Sequence, residues 1–169
     1  PLSVLNPLKE PARLATVEQK EEYIRSVGID GLIMLPMTQE LLNQSPEDFC
    51  ACLIKYLAPS EIVVGTNFTY GKKAAGNTET LVQSMGDAHI PVRVLDLVEA
   101  PQSDYPVSST VIRGLIAKGE MQEAMTLLGR PFELRAEVVS GDRRGRTIGF
   151  PTANMLIPPR AALPPDGVY

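Results

Sequence analysis

SPEDFCACLIKYLAPSEIVVG, residues 45–65, decides the fold class. Ser45 is a helix cap, Pro46 stands at the first helical position, and Glu47 and Asp48 face the positive end of the helix dipole. Phe49, Cys52, Leu53, Tyr56 and Leu57 then recur at helical spacing and form one apolar face, which Pro59 ends. Glu61–Gly65 follows as a short β-branched run of strand length. A capped amphipathic helix leading directly into a buried strand is the unit of an α/β sheet.

The pattern continues on both sides. Upstream, residues 1–15 are proline-rich and read as a connecting segment; Thr16 caps a helix through Val27, with Gly28 as its stop, and Gly31–Pro36 is another apolar run of strand length. Downstream, Asn77 caps a helix through about Met85, and Pro91–Leu97 reads as a strand. Ser108-Ser109-Thr110 opens a further helix that Gly119 interrupts, and Glu120–Leu128 forms the next. The character changes at Gly129-Arg130-Pro131. Phe132, Leu134, Ala136 and Val138 alternate with Glu133, Arg135 and Glu137, the period of a half-buried strand. We therefore expect an α/β domain over 1–129 and a β-rich one over 130–169.

Composition narrows the function. The chain has 169 residues, 44% hydrophobic and 21% charged, which is globular rather than disordered. Its net charge of -4 argues against a general nucleic-acid binder, which would be basic. No apolar run approaches the roughly 20 residues that cross a bilayer, and no signal-peptide pattern opens the chain, so a cytoplasmic location without membrane partners is expected. Cys50 and Cys52 read as reduced thiols. With His89 as the single histidine, no His-based metal cluster can be built. His89 itself reads as a surface or helix-end residue.

Three stretches carry candidate chemistry. GTNFTYGKKAAG (65–76) follows a strand, where open α/β sheets bind ligands. Its glycines allow close backbone approach, its aromatics can stack on a flat ring, and its lysines can meet phosphate. It is not a Walker A loop, and a mobile surface loop is the plain alternative. VSSTVIR (107–113) places three hydroxyls at a helix start, an anion-attracting position, with Arg113 one turn in. Simple capping beside a surface arginine explains it equally well. GDRRGRTIGFPTAN (141–154) repeats glycine every fourth residue and carries Arg143, Arg144 and Arg146. Its backbone can form an anion nest, and Thr152 and Asn154, two apart, offer hard oxygens to Mg²⁺. A solvated hairpin loop or an RNA-contacting patch are the competing readings.

The last stretch resembles the opening of the riboflavin kinase domain, Gly-x-x-Arg-Gly-Arg-x-x-Gly-Phe-Pro-Thr-Ala-Asn, and Leu163–Tyr169 is similar to that domain's next element. Residues 107–113 resemble the second phosphate-binding motif of FMN adenylyltransferases, and Val64–Gly71 is similar to their Val-Gly-x-Asp-Phe-x-Phe-Gly loop, with Asn67 in place of the aspartate. Three motifs in family order identify a resemblance to bacterial bifunctional riboflavin kinase/FMN adenylyltransferases over most of the chain.

That resemblance implies a Rossmann-like nucleotidyltransferase domain followed by the start of a small β-barrel. It implies a transferase that makes FMN from riboflavin and FAD from FMN, using ATP and Mg²⁺. Ser108, Ser109, Thr110 and Arg113 would hold ATP phosphates in the first site, with Arg113 and Asn67 catalytic. Gly65, Asn67, Phe68 and Gly71 would meet the flavin. Gly141, Gly145, Thr147 and Gly149 would line the kinase nucleotide loop, with Thr152 and Asn154 at the metal. The family's Gly-x-Phe-Asp-Gly-x-His-x-Gly-His motif has no match here, and the kinase's glutamate would lie beyond Tyr169. The chain is thus expected to be the middle of a longer protein and inactive alone. Alternatives are a flavin- or nucleotide-binding regulatory piece, and another nucleotidyltransferase with an unrelated β-module.

Overall fold

A computed structural model of the chain describes residues 9–100, 102–141, 149 and 152–167. These form two compact units, one comprising Met34–Val98 and the other combining Glu10–Ile33 with the segment from Glu99 onward.

The Met34–Val98 unit opens with a single turn, Gln39–Leu42, capped by Thr38. The main helix, Pro46–Cys52, starts as the sequence indicates: the Ser45 hydroxyl accepts from Asp48 N and Pro46 stands in the first turn. The helix does not run evenly to Leu57. Residues Leu53–Leu57 widen into a π turn, and Ala58 leaves with φ 42. Pro59 disfavours right-handed geometry at the residue before it, so the backbone reverses at Ala58. Strand β1 (Ile62–Gly65) pairs in parallel with β2 (Val92–Leu95), Ile62 opposite Val92 and Gly65 opposite Leu95. Parallel neighbours need a crossover, and helix α1 (Thr78–Gly86) lies within it, closed by an Asn77–Thr80 capping box. His89 sits exposed just past that helix at φ 57.

Cys50, Tyr70, Leu81 and Met85 form this unit's core, with Phe49, Leu53, Ile62, Val64 and Phe68 packed around them. Met85 is fully buried. Met85→Ala should therefore cost about 2–5 kcal/mol of unfolding free energy, through lost transfer energy and an unfilled cavity. Chemical denaturation checks this value. Both cysteines are free; Cys50 is buried, and the Gln44 amide donates to the Cys52 sulfur at 3.2 Å.

In the other unit, helix α2 (Val17–Ser26) carries a Thr16–Gln19 capping box. Buried Gln19 also donates to the Glu133 carbonyl at 3.2 Å, and the Arg130 guanidinium lies 3.6 Å from the Tyr23 ring centroid. Helices α3 (Ser109–Lys118) and α4 (Met121–Leu128) form a hairpin through left-handed Gly119, and left-handed Gly129 closes α4. Their core is Ile112, Leu115, Ile116, Ala124 and Leu127 with Ala162. Strands β3 (Glu137–Val139) and β4 (Asn154–Leu156) pair antiparallel, Val139 opposite Asn154.

Three sequence expectations change. Gly31–Pro36 forms no strand, and Leu32, Ile33, Met34 and Leu35 are exposed. The alternation over Phe132–Val138 is real in burial, with Phe132, Leu134 and Ala136 turned inward as far as Ala136, but ladder pairing begins only at Glu137. An extended chain alternates faces with or without a neighbour, whereas a strand needs a partner. The segment before Thr16 is more than a connector: Arg13 N donates to Arg160 O at 2.7 Å and Ala162 N to Arg13 O at 2.8 Å.

Candidate functional site

The loop after β1 is tied to the strands by backbone hydrogen bonds. Thr66 N donates to Leu95 O and Phe68 N to Gly65 O, which folds the chain back at the strand's end. The Asn67 side chain lies over Gly65: a Cβ at Gly65 would stand 3.2 Å from Asn67 Oδ1. Gly71, at φ 72, abuts Pro46, where a Cβ would come within 2.8 Å of the proline nitrogen. Gly65 and Asn67 thus share the turn that ends β1, while Gly71 lies farther along the loop, against Pro46. The Phe68 ring stacks on Tyr70 at 5.6 Å and packs against the core, half-buried.

The second stretch caps a helix. Ser108 Oγ accepts from Val111 N at 3.2 Å and occupies the cap position of α3. Ser109 and Thr110 are exposed in the first turn. Arg113 is half-buried, and its Nε donates to the Ala12 carbonyl at 2.6 Å. That bond holds the guanidinium by one edge, and among the described residues its Nη groups have no hydrogen-bond partner. Ser108, Ser109 and Thr110 thus stand at the start of α3, with Arg113 farther along the same helix.

Of the third stretch, Gly141, Gly149, Thr152 and Asn154 are described; Gly145, Thr147 and the arginines Arg143, Arg144 and Arg146 lie outside the described residues. The Asn154 carboxamide occupies the space where a Cβ of Gly141 would stand, so these two residues meet across the β3–β4 pair. Gly149 takes φ 82, a conformation that favours glycine. Thr152 and Asn154 are exposed, and among the described residues neither side-chain oxygen has a hydrogen-bond partner. Two free oxygen donors at alternate positions suit a hard cation. Among the described residues, no group of three His, Cys, Asp or Glu side chains gathers to hold a metal.

A cavity of about 490 Å³ lies elsewhere in this unit, between Thr16, Gln19, Phe132, Leu134, Pro159 and Ala161. None of the sequence-predicted site residues lines it. Gly76 and Tyr70, the last glycine and the second aromatic of the 65–76 stretch, exchange both backbone hydrogen bonds and close the loop. Among the described residues, no helix is long and apolar enough to cross a membrane.

Known proteins resemble this chain in sequence and fold. The family model described as FAD synthetase matches residues 1–111, and that described as riboflavin kinase matches 128–169. The bifunctional riboflavin kinase/FMN adenylyltransferase of Listeria monocytogenes is 34% identical over 170 residues, and that of Bacillus subtilis 35%. The Escherichia coli K12 protein of the same name is 31% identical. Each alignment takes in 100% of this chain and 53% of the relative, so the chain spans about half the length of the curated relatives it matches. A Streptococcus pneumoniae structure titled as a macrolide-efflux protein superposes with a TM-score of 0.78 at 30% identity, over 95% of this chain and 53% of its own. With two thirds of its length under one family model and its end under the second, the chain belongs to the FAD synthetase family and runs on into the riboflavin kinase segment that accompanies it in those relatives.

Proposed function

We propose that the full-length protein phosphorylates riboflavin to FMN and adenylylates FMN to FAD, with ATP as donor in both steps. The observation that carries this is the order of the two family matches along one chain, together with bifunctional relatives aligned to all of it. We place the junction between an adenylyltransferase domain (1–129) and a kinase domain (130–169) at the left-handed Gly129 that ends α4. The parallel β1–β2 pair with its crossover helix fits a Rossmann-like sheet, and β3–β4 the first strands of a small barrel.

In the kinase step, the riboflavin 5′-hydroxyl attacks the γ-phosphorus of ATP and ADP leaves. In the adenylyltransferase step, an FMN phosphate oxygen attacks the α-phosphorus and pyrophosphate leaves. Both reactions depend on alignment and charge stabilisation rather than on a covalent protein nucleophile. Ser109, Thr110 and the free Nη groups of Arg113 would face the triphosphate at the positive end of α3, with Ser108 holding the helix start. Asn67, fixed over Gly65, would orient the flavin substrate, with Gly71 shaping the loop. Phe68 would contribute from behind, as part of the loop's apolar support. Gly141, Gly145, Thr147 and Gly149 would line the kinase nucleotide loop. Thr152 and Asn154 would hold Mg²⁺, which neutralises phosphate charge when bound. The full protein would work in the cytoplasm.

The test is direct. Full-length protein is incubated with riboflavin, ATP and Mg²⁺, and the flavins are separated by chromatography. Appearance of FMN and then FAD is the expected result. Flavin binding without turnover would leave only a regulatory, ligand-binding piece.

A further inference from the structure

We propose that Lys72 and Lys73 form a fixed cationic finger that takes the substrate's phosphate in the adenylyltransferase site, held in place by Tyr70 seated on Gly76. The inference rests on the adenylyltransferase reading and adds residues that the reading leaves without a role.

Position comes first. The finger is residues 71–75, projecting from the loop beyond the carboxyl end of β1, the end at which open α/β sheets bind ligands. It is closed at its base by two hydrogen bonds, Tyr70 N to Gly76 O at 3.1 Å and Gly76 N to Tyr70 O at 2.9 Å. Lys72 N donates to Gln44 O at 2.7 Å and ties it to the helical side of the unit.

The clamp is a ring on a glycine. Tyr70 is buried, with Phe49 5.1 Å and Phe68 5.6 Å from its centroid. Its hydroxyl lies 3.1 Å from Thr80 Oγ1, and Cys50 Sγ donates to it at 3.5 Å. A Cβ at Gly76 would stand 2.6–2.7 Å from three ring atoms of Tyr70. Gly76 is therefore required by close approach and not by its backbone angles. The ring cannot yield readily, because aromatic and hydroxyl partners surround it.

Charge and strain then single out the two lysines. Among the described residues of the Met34–Val98 unit the cations are Lys55, Lys72, Lys73 and Arg93. Arg93 pairs with Glu61 at 2.8 Å, and Lys55 lies 4.9 Å from the Tyr56 ring centroid. Lys72 and Lys73 are exposed and, among the described residues, have no side-chain partner. Lys73 and Ala74 hold φ of 56 and 55, two successive non-glycine residues in left-handed geometry. Such backbone costs free energy and persists where its surroundings impose it, most often at ligand sites. Here the clamp imposes it, and the consequence is a pair of free ammonium groups beside Asn67's loop. Compact, strongly donating ammonium groups suit a phosphate.

Either the FMN phosphate or the ATP triphosphate supplies that chemistry, and the experiment separates them. In the full-length protein, Lys72→Met/Lys73→Met is compared with wild type for KM of FMN, KM of ATP and kcat in FAD formation, and for FMN formation from riboflavin. The expected result is a rise of about tenfold in KM for FMN, with kcat, KM for ATP and riboflavin phosphorylation little changed. A rise in KM for ATP instead assigns the finger to the nucleotide. Unchanged values for both substrates overturn the proposal. Wild-type protein that makes no FAD sinks the adenylyltransferase reading itself, a separate outcome. Gly76→Ala tests the clamp: it should raise the same KM while both lysines remain, and Gly76→Ala/Tyr70→Leu, which removes the clash, should restore it in part. An unchanged KM in folded Gly76→Ala overturns the clamp.

Discussion

Thr152→Ala in the full-length protein is expected to lower FMN formation from riboflavin by at least about 100-fold, the scale of removing one preorganised charge-stabilising group. Adenylylation of supplied FMN should be spared. The reasoning begins with chain geometry. Thr152 precedes β4 by two positions, so in an extended segment it shares a side with Asn154. Asn154 is fixed over Gly141, opposite Val139. Among the described residues neither oxygen has a hydrogen-bond partner, and each suits a hard cation or a phosphate. Thr152 is exposed, so its loss should leave the melting temperature nearly unchanged. Thr152→Ser, which keeps the hydroxyl, should retain most activity. Full kinase activity in Thr152→Ala would show that the hydroxyl holds nothing.

The second large effect is expected at Arg113. Arg113→Ala should depress FAD formation by about 100-fold, roughly 2.7 kcal/mol of transition-state stabilisation, and leave FMN formation within a few-fold of wild type. The guanidinium is anchored through Nε to the Ala12 carbonyl, which leaves the Nη groups to meet an anion at the start of α3. An anchored fork loses little freedom when it binds, a property of arginine that lysine lacks. Arg113→Lys should therefore recover only a small part of the lost rate. The bond to Ala12 also has a structural role, so thermal unfolding must be followed alongside. A variant that loses both activities in parallel with its fold has lost a brace; one that stays folded and makes FMN but little FAD has lost a phosphate contact.

Much of the architecture was legible because its signals are local. Ser45 with Pro46, Asn77, Ser108, Gly119 and Gly129 each mark a helix end that the structure places within a residue of the reading. A cap is satisfied by backbone groups two or three residues away, so nothing distant needs to be known. The motifs were legible for a related reason. Gly65 and Asn67 serve a single turn, and the hydroxyls of 108–110 a single helix start, so their spacing along the chain is also their spacing in space.

Family, helix boundaries and the order of candidate loops thus follow from the residues in line. What the line does not contain is partnership at long range. Whether an apolar or alternating run becomes a strand depends on a neighbour's free backbone groups, which is why Gly31–Pro36 stays unpaired and Phe132–Ala136 alternates in burial without a ladder. Arg113's hold on Ala12 spans 101 residues, and the seat of Tyr70 on Gly76 depends on Phe49, Cys50 and Thr80 closing around the ring. These contacts exist only once packing has brought separate segments within a few ångströms, and that is where the structure adds to the sequence.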